Sequence, residues 1–155
     1  MPSLPHDAPG IHSPEEVAKV LETARRLDPD VCRHLALRYF AGLRRSEAAA
    51  LGEEHLRAEY VEVPAEKAKT RRRRLVPIRP ALRAWLAVGG SLPLRDGNPR
   101  LAAVATASGV PWPRNAPRHS FCSYHLAEFQ SAAQTALEAG HSEQMLFAHY
   151  RELVD

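Results

Sequence analysis

The sequence predicts a mainly α-helical domain carrying one small antiparallel β-sheet. Three observations lead there. Apolar residues recur at helical spacing through most of the chain, the period switches to strand-like alternation in two short segments near residues 60–64 and 74–78, and the connections between segments are short. A length of 155 residues suits one domain, large enough to bury roughly 70% of its unfolded surface. With 45% hydrophobic and 25% charged residues the composition is that of a globular chain, which argues against disorder.

The elements follow in order. Residues 1–12 hold three prolines and a glycine and read as a linker or tail, so the domain is expected over 13–155. Ser13 can cap a first helix, with Pro14 at its first position and Glu16 completing a Ser-x-x-Glu box. Val17, Val20, Leu21, Ala24 and Leu27 continue it. Asp28-Pro29 supplies a second cap and start, and the helix through Val31, Leu35, Tyr39 and Phe40 should stop at Gly42. A short helix is expected over Ser46–Leu51. Tyr60–Pro64 and Arg74–Ile78 then read as a β-hairpin with a basic tip, its prolines marking edge strands. Helices follow at Pro80–Val88, Pro99–Ser108, 117–129, 131–139 and 142–153, with proline-rich loop over Val110–Pro117.

Several classes are excluded. No run of 18 apolar residues exists, so no membrane span is expected, and MPSLPHDAPG has neither the basic nor the apolar region of a signal peptide. Cys32 and Cys122 have no CxxC spacing and read as reduced, buried thiols of a cytoplasmic protein. The eight histidines show no recurring ligand spacing, so no metal site is expected.

Net charge is +3, but this is a cancellation. Residues 1–66 and 119–155 each carry −4, whereas residues 67–118 hold twelve Lys/Arg against Asp96 alone, a net of +11. Eighteen of the 21 basic residues are arginine, the side chain suited to bidentate phosphate contacts. A local +11 surface points to a polyanionic partner.

A handful of polar residues are more than a plain helical fold needs: Arg44 and Arg45 at a helix corner, Lys67 and Lys69 ahead of Arg71–Arg74, Asn115, Arg118 and His119 at a helix start, His141 after Gly140, and Tyr150. The phrase Ala41-Gly42-Leu43-Arg44-Arg45-Ser46-Glu47, running on to Leu51, resembles the first arginine box of the tyrosine recombinases, the phage integrase family. Lys69-Thr70 before Arg74-Leu75-Val76-Pro77-Ile78 looks like that family's hairpin lysine and its following strand. Asn115-Ala116-Pro117-Arg118-His119 resembles the second box, Ala139-Gly140-His141-Ser142 its Leu-Gly-His-Ser, and Ala148-His149-Tyr150 the nucleophile region. The five phrases stand in family order, and the resemblance runs from about Ser13 to the C-terminus.

The resemblance implies DNA strand cleavage and rejoining on double-stranded DNA, by protomers assembled in a synaptic complex, without a cofactor. Arg44 and Arg118 would neutralise the nonbridging oxygens of the scissile phosphate, which needs no metal. His141 would add a hydrogen bond, and Tyr150 would attack to give a 3′-phosphotyrosine. Lys69, with Lys67 as the competing choice, would protonate the leaving 5′-oxygen. Glu47 would orient Arg44. Arg45, Lys67, Arg71, Arg72, Arg73, Arg74, Arg114 and His119 would contact the DNA. One departure is Asn115, where the family usually has His; an amide hydrogen-bonds a phosphate but carries no proton. The other is the absence of an N-terminal DNA-clamping domain, which implies weak, salt-dependent DNA affinity for a cytoplasmic, nucleoid-associated catalytic domain.

Overall fold

A computed structural model describes residues 10–69 and 71–140. Thr70, the nine leading residues, His141, Tyr150 and the helix expected over 142–153 lie outside the described residues.

The order of elements is α1 (Pro14–Leu27), α2 (Pro29–Ala41), α3 (Arg45–Ala50), a 3₁₀ turn (Glu53–His55), β1 (Tyr60–Val63), β2 (Arg74–Pro77), α4 (Pro80–Leu86), α5 (Gly97–Ser108), α6 (Ala116–Phe129) and α7 (Ala132–Ala139). The chain is mostly helical with a two-stranded antiparallel sheet, as its periodicities predict. Among the described residues no helix is long and apolar enough to cross a membrane.

α1 begins as its residues dictate. The Ser13 hydroxyl accepts from the Glu16 amide at 3.1 Å, and the Glu16 carboxylate accepts from the Ser13 amide at 2.8 Å. The next corner differs from expectation. Asp28 makes no side-chain cap for α2. Its carboxylate instead accepts from Arg100 Nη2 and Nε at 2.6 and 2.7 Å, and Asp30 accepts from the same Nη2 at 2.8 Å. A charged donor on α5 outcompetes the local amides, and the corner is thereby tied to α5.

α2 is the spine of the molecule. It packs against α1, α3, α4, α5 and α6. Buried residues surround it, Val31, Cys32, Leu35, Ala36, Leu37, Tyr39 and Ala41 being apolar or aromatic, as expected of a helix enclosed on all sides. Two of its buried residues are polar, His34 and Arg38, and at i, i+4 spacing they share a face. α2 ends at Gly42 in the left-handed region with φ 71°, where a Cβ would lie 2.4 Å from Phe121 Cδ1. Only glycine satisfies both the turn and the close approach of α6.

The hairpin pairs Val61 with Val76 and Val63 with Arg74. Val61, Val63, Val76 and Arg74 are buried and Leu75 is exposed. The main core runs from α1 and α2 through the sheet to Val104 and Val110. A smaller one joins α6 to α7 through Phe121, Cys122, Leu126, Ala136 and Ala139. Both cysteines are buried.

The packed body starts before Ser13. His12, placed by sequence in a tail, is 1% exposed. Its amide donates to Ser120 Oγ at 2.9 Å, and its carbonyl accepts from the Tyr124 hydroxyl at 2.6 Å. Its Nε2 lies 2.8 Å from the Pro111 carbonyl and its Nδ1 2.7 Å from the Tyr39 hydroxyl. A carbonyl only accepts, so Nε2 carries the proton and Nδ1 accepts from Tyr39. The His12 imidazole thus pins this segment to α2 and the loop before α6, and the His12 backbone pins it to α6.

Candidate functional site

A carboxylate organises the site. Glu47, on the first turn of α3, is fully buried. Its Oε1 accepts from the Arg44 amide at 2.9 Å, the half of a capping box in which the third helical residue reaches back. Arg74 grips both oxygens, Nη1 to Oε2 at 2.8 Å and Nη2 to Oε1 at 2.7 Å. Arg44 Nη1 approaches Oε2 at 3.3 Å, and the Lys69 amide donates to the same oxygen at 3.2 Å. Burial alone would raise the Glu47 carboxyl, but the hydrogen bonds and charge of Arg74 outweigh it and hold the group at about 2. Glu47 therefore contacts both arginines, and its closest pairing is with Arg74.

Arg74 corrects an expectation. The sequence places it with Arg71–Arg73 on the DNA-facing tip, but it is 7% exposed and also donates from Nε to the Glu138 carbonyl at 2.9 Å. Strand alternation explains this. Val76 faces the core, so Arg74, two residues earlier, faces the same way. Its charge is consumed internally.

Arg44 reaches across to α7, with Nη2 donating to the Gly140 carbonyl at 3.0 Å. Gly140 has φ 72°, and a Cβ there would lie 3.0 Å from Arg74 Nη1 and 3.3 Å from Arg44 Nη1, so the glycine makes room for both guanidinium groups. Arg118, on the first turn of α6, is 5% exposed. Its Nη1 donates to the Gly42 carbonyl at 2.5 Å, but its Nη2 is buried and has no hydrogen-bond partner among the described residues. Burial pushes the guanidinium down to about 10, and the charges of Arg44 and Arg74 act in the same direction. It remains a cation at neutral pH. A buried cationic N–H without an acceptor, beside a second arginine, is an arrangement that an anion completes.

The hairpin lysines separate. Lys67 Nζ is spent on the Ala50 carbonyl at 3.0 Å. The Lys69 side chain is exposed, and its ammonium has no hydrogen-bond partner among the described residues. The other expected contacts divide similarly. Arg71 and Arg72 are exposed; Arg73 is exposed but paired to Glu62 at 2.9 Å, and Glu62 also accepts from Arg57 at 3.0 Å. Arg45 donates to Asn98 Oδ1. Arg114 is exposed and His119 half-buried. Asn115 is exposed, in the left-handed region at φ 56°, and immediately precedes α6.

Two groups escaped the sequence reading. One is the pair of buried polar residues on α2, His34 and Arg38, which no periodicity signals because the helix is buried nearly all round. The other links α6 to α7. His125 lies 3.0 Å from Glu138 Oε2 and 2.5 Å from Thr135 Oγ1, and Arg79 clasps Glu138 with both Nη atoms at 2.8 and 2.9 Å. Burial opposes ionisation of Glu138, but His125 and Arg79 prevail and hold it at about 2. No group of three or more His, Cys, Asp or Glu that could hold a metal occurs among the described residues.

This architecture is the catalytic-domain fold of the tyrosine recombinases. The catalytic domain of bacteriophage HP1 integrase superposes with a TM-score of 0.77 at 16% identity, over 93% of this chain and 88% of that one. XerA recombinase follows with a TM-score of 0.73 at 15% identity, over 93% of this chain and 60% of that chain. A lambda integrase dimer bound to a COC′ core site gives 0.69 at 15% identity, over 99% of this chain and 61% of the other. The chain thus spans nearly the whole HP1 domain but about 60% of the XerA and lambda chains. Neither a protein-family model nor a curated relative matches the sequence.

Proposed function

We propose that this chain is the catalytic domain of a tyrosine-type, site-specific DNA recombinase. The observation that carries the reading is the buried, unpartnered Nη2 of Arg118 beside Arg44, on a fold shared with integrase and recombinase catalytic domains. Its substrate is a phosphodiester of double-stranded DNA, and its working form is a set of protomers on that DNA. Neighbours of the same fold include a lambda integrase tetramer bound to a Holliday junction and XerH bound to difH substrate. The chain acts where DNA is, at the nucleoid.

In the proposed reaction Arg44 and Arg118 bind the nonbridging oxygens and offset the charge that builds in the pentavalent transition state. His141 donates a further hydrogen bond. The Tyr150 phenolic oxygen attacks phosphorus, and its bond forms as the bond to the 5′-oxygen breaks. Lys69 gives its proton to that leaving oxygen. The covalent phosphotyrosine keeps the phosphodiester energy, so attack by a 5′-hydroxyl reverses the step without a nucleotide cofactor. Asn115 holds a phosphate oxygen but accepts no proton, so the phenolic proton leaves to another acceptor.

A nicked suicide duplex tests this. The wild type is expected to give a protein–DNA adduct that survives denaturation, and Tyr150→Phe none. Noncovalent binding with no adduct would leave a DNA-binding module without turnover. An adduct formed equally by Tyr150→Phe would remove the nucleophile assignment. Asn115→His is expected to raise the cleavage rate by about tenfold or more, because a positioned imidazole can take the phenolic proton. A single-turnover time course reads this; an unchanged rate would mean that the amide is no impediment.

A further inference from the structure

A second cluster of arginines lies next to the first. Arg38, Arg45, Asn98, Trp112, Arg114 and Asn115 line a cleft of about 730 Å³ between α2, α3, α5 and the loop before α6. The lining carries three arginines and no carboxylate. Arg38 is its floor. The residue is 4% exposed, its Nε is buried without a hydrogen-bond partner, and no ion pair holds it among the described residues. The charge acting on it from within the cleft is that of Arg45, which repels it. Beside it, on the same face of α2, His34 is 1% exposed, with neither ring nitrogen partnered among the described residues.

This is an expensive arrangement for an empty cleft. An unpaired buried cation is strongly destabilising, and natural cores avoid it unless something supplies the counter-charge. Burial pushes the Arg38 guanidinium down to about 10, so it remains charged at neutral pH. The cleft also adjoins the first cluster through neighbours in sequence. Arg44 turns to Glu47 and Gly140, whereas Arg45 turns to Asn98 on the cleft wall. Asn115 lines the cleft, and Arg118, one turn later, lies in the first cluster.

We propose that this cleft is a second phosphate subsite, in which Arg38 anchors a backbone phosphodiester flanking the one held by Arg44 and Arg118, with Arg45 and Arg114 closing over it. The inference rests on the phosphodiester reading of the first cluster and adds a binding residue, Arg38, to it. Asn98 and Asn115 supply neutral hydrogen-bonding groups, and Trp112 supplies an apolar wall for the adjoining sugar. His34 stays neutral because burial first, and then the charges of Arg38 and Arg45, disfavour its protonated form, so it leaves the arginines as the charged groups.

The test is a titration of the full chain with a fluorescent DNA duplex across a salt series, with thermal unfolding of the free protein alongside. Arg38→Met is expected to weaken duplex binding by about tenfold and to reduce the slope of log affinity against log salt by about 0.9, the value for one lost phosphate contact. The same substitution is expected to raise the unfolding midpoint of the free protein, because it removes an unpaired buried charge. Opposite effects on binding and stability are what a purely structural arginine would not produce. The exposed Arg114→Gln, which cannot disturb the core, is expected to lower affinity and slope in the same direction. If the wild type binds the duplex and Arg38→Met binds it equally with the same slope, the subsite is overturned and the reading of Arg44 and Arg118 stands. A lowered midpoint for Arg38→Met with unchanged binding overturns it too. If the wild type binds no duplex, both readings fall.

Discussion

Glu47→Ala lowers the stability of the domain by about 3–5 kcal/mol, the usual cost of removing one partner from a buried ion pair. The reason is what remains. Arg74 is 7% exposed and gives both Nη atoms to Glu47, so deleting the carboxylate strands a buried guanidinium. Arg44 and the Lys69 amide lose an acceptor in the same step. A chain of this size has a total stability of about 5–15 kcal/mol, so the variant should sit near the edge of folding at ambient temperature. Glu47→Leu combined with Arg74→Met removes both charges and should recover most of the loss, because replacing a buried pair with apolar side chains is often close to neutral. It should not recover strand cleavage, since Arg44 is then aligned only by Gly140. Denaturant unfolding of the single and double variants measures the first part. A loss below about 1 kcal/mol for Glu47→Ala would show that the pair is solvated and that the buried ion pair is not what joins the hairpin to α3.

The second large effect is acid sensitivity in two stages. His34 is held down to about 3, by burial first and then by the charges of Arg38 and Arg45. In the unfolded chain it titrates near 6.5, so between these values the unfolded state binds the extra proton and stability falls as pH falls. That stage should cost about 1.4 kcal/mol per pH unit. Glu47 and Glu138 are each held at about 2, against an ordinary value of 4.5. Their stabilisation is complete above 4.5 and is lost as pH drops towards 2, which steepens the decline to about 4 kcal/mol per unit while His34 still contributes. His34→Leu should remove the upper stage and leave the lower one. It should also stabilise the protein at neutral pH, since two buried ring nitrogens without partners cost free energy. Unfolding midpoints measured from pH 7 down to about 2 check both stages, and a midpoint that does not move from 6.5 to 4.5 would refute the assignment to His34.

Much of the fold was legible because local rules and tertiary packing agree. Ser13, Pro14 and Glu16 form the expected capping box, Gly42 ends α2, and the two strands fall where alternation puts them. What was not legible concerns which way a charge faces. Arg71 to Arg74 read as a uniform basic run, yet strand register turns the last of them inward onto Glu47. The same register could have been read from Val76, which shares its face. Asp28 illustrates competition over distance. It is a sound local cap, but Arg100, 72 residues away, takes its carboxylate. His34 and Arg38 were hidden because a helix enclosed on every side gives periodicity no contrast.

The site residues divide along similar lines. The pairing of Arg44 with Glu47 follows from one helical turn, and Lys69 is separated from Lys67 only once Ala50 is seen to engage the latter. The unpartnered Nη2 of Arg118 could not be read from any spacing, because it depends on where the Gly42 carbonyl ends up.

The three-way grip of Glu47 has a consequence for how the parts can be exchanged. One carboxylate joins the start of α3, the hairpin tip and the second strand, through Arg44, Lys69 and Arg74. The exposed Arg71 and Arg72 stand outside this junction. Transplanting this hairpin onto another scaffold would therefore carry its lysine along without its address unless positions 44, 47 and 74 travelled as well. The cassette is defined by a shared acceptor and not by a contiguous stretch of chain.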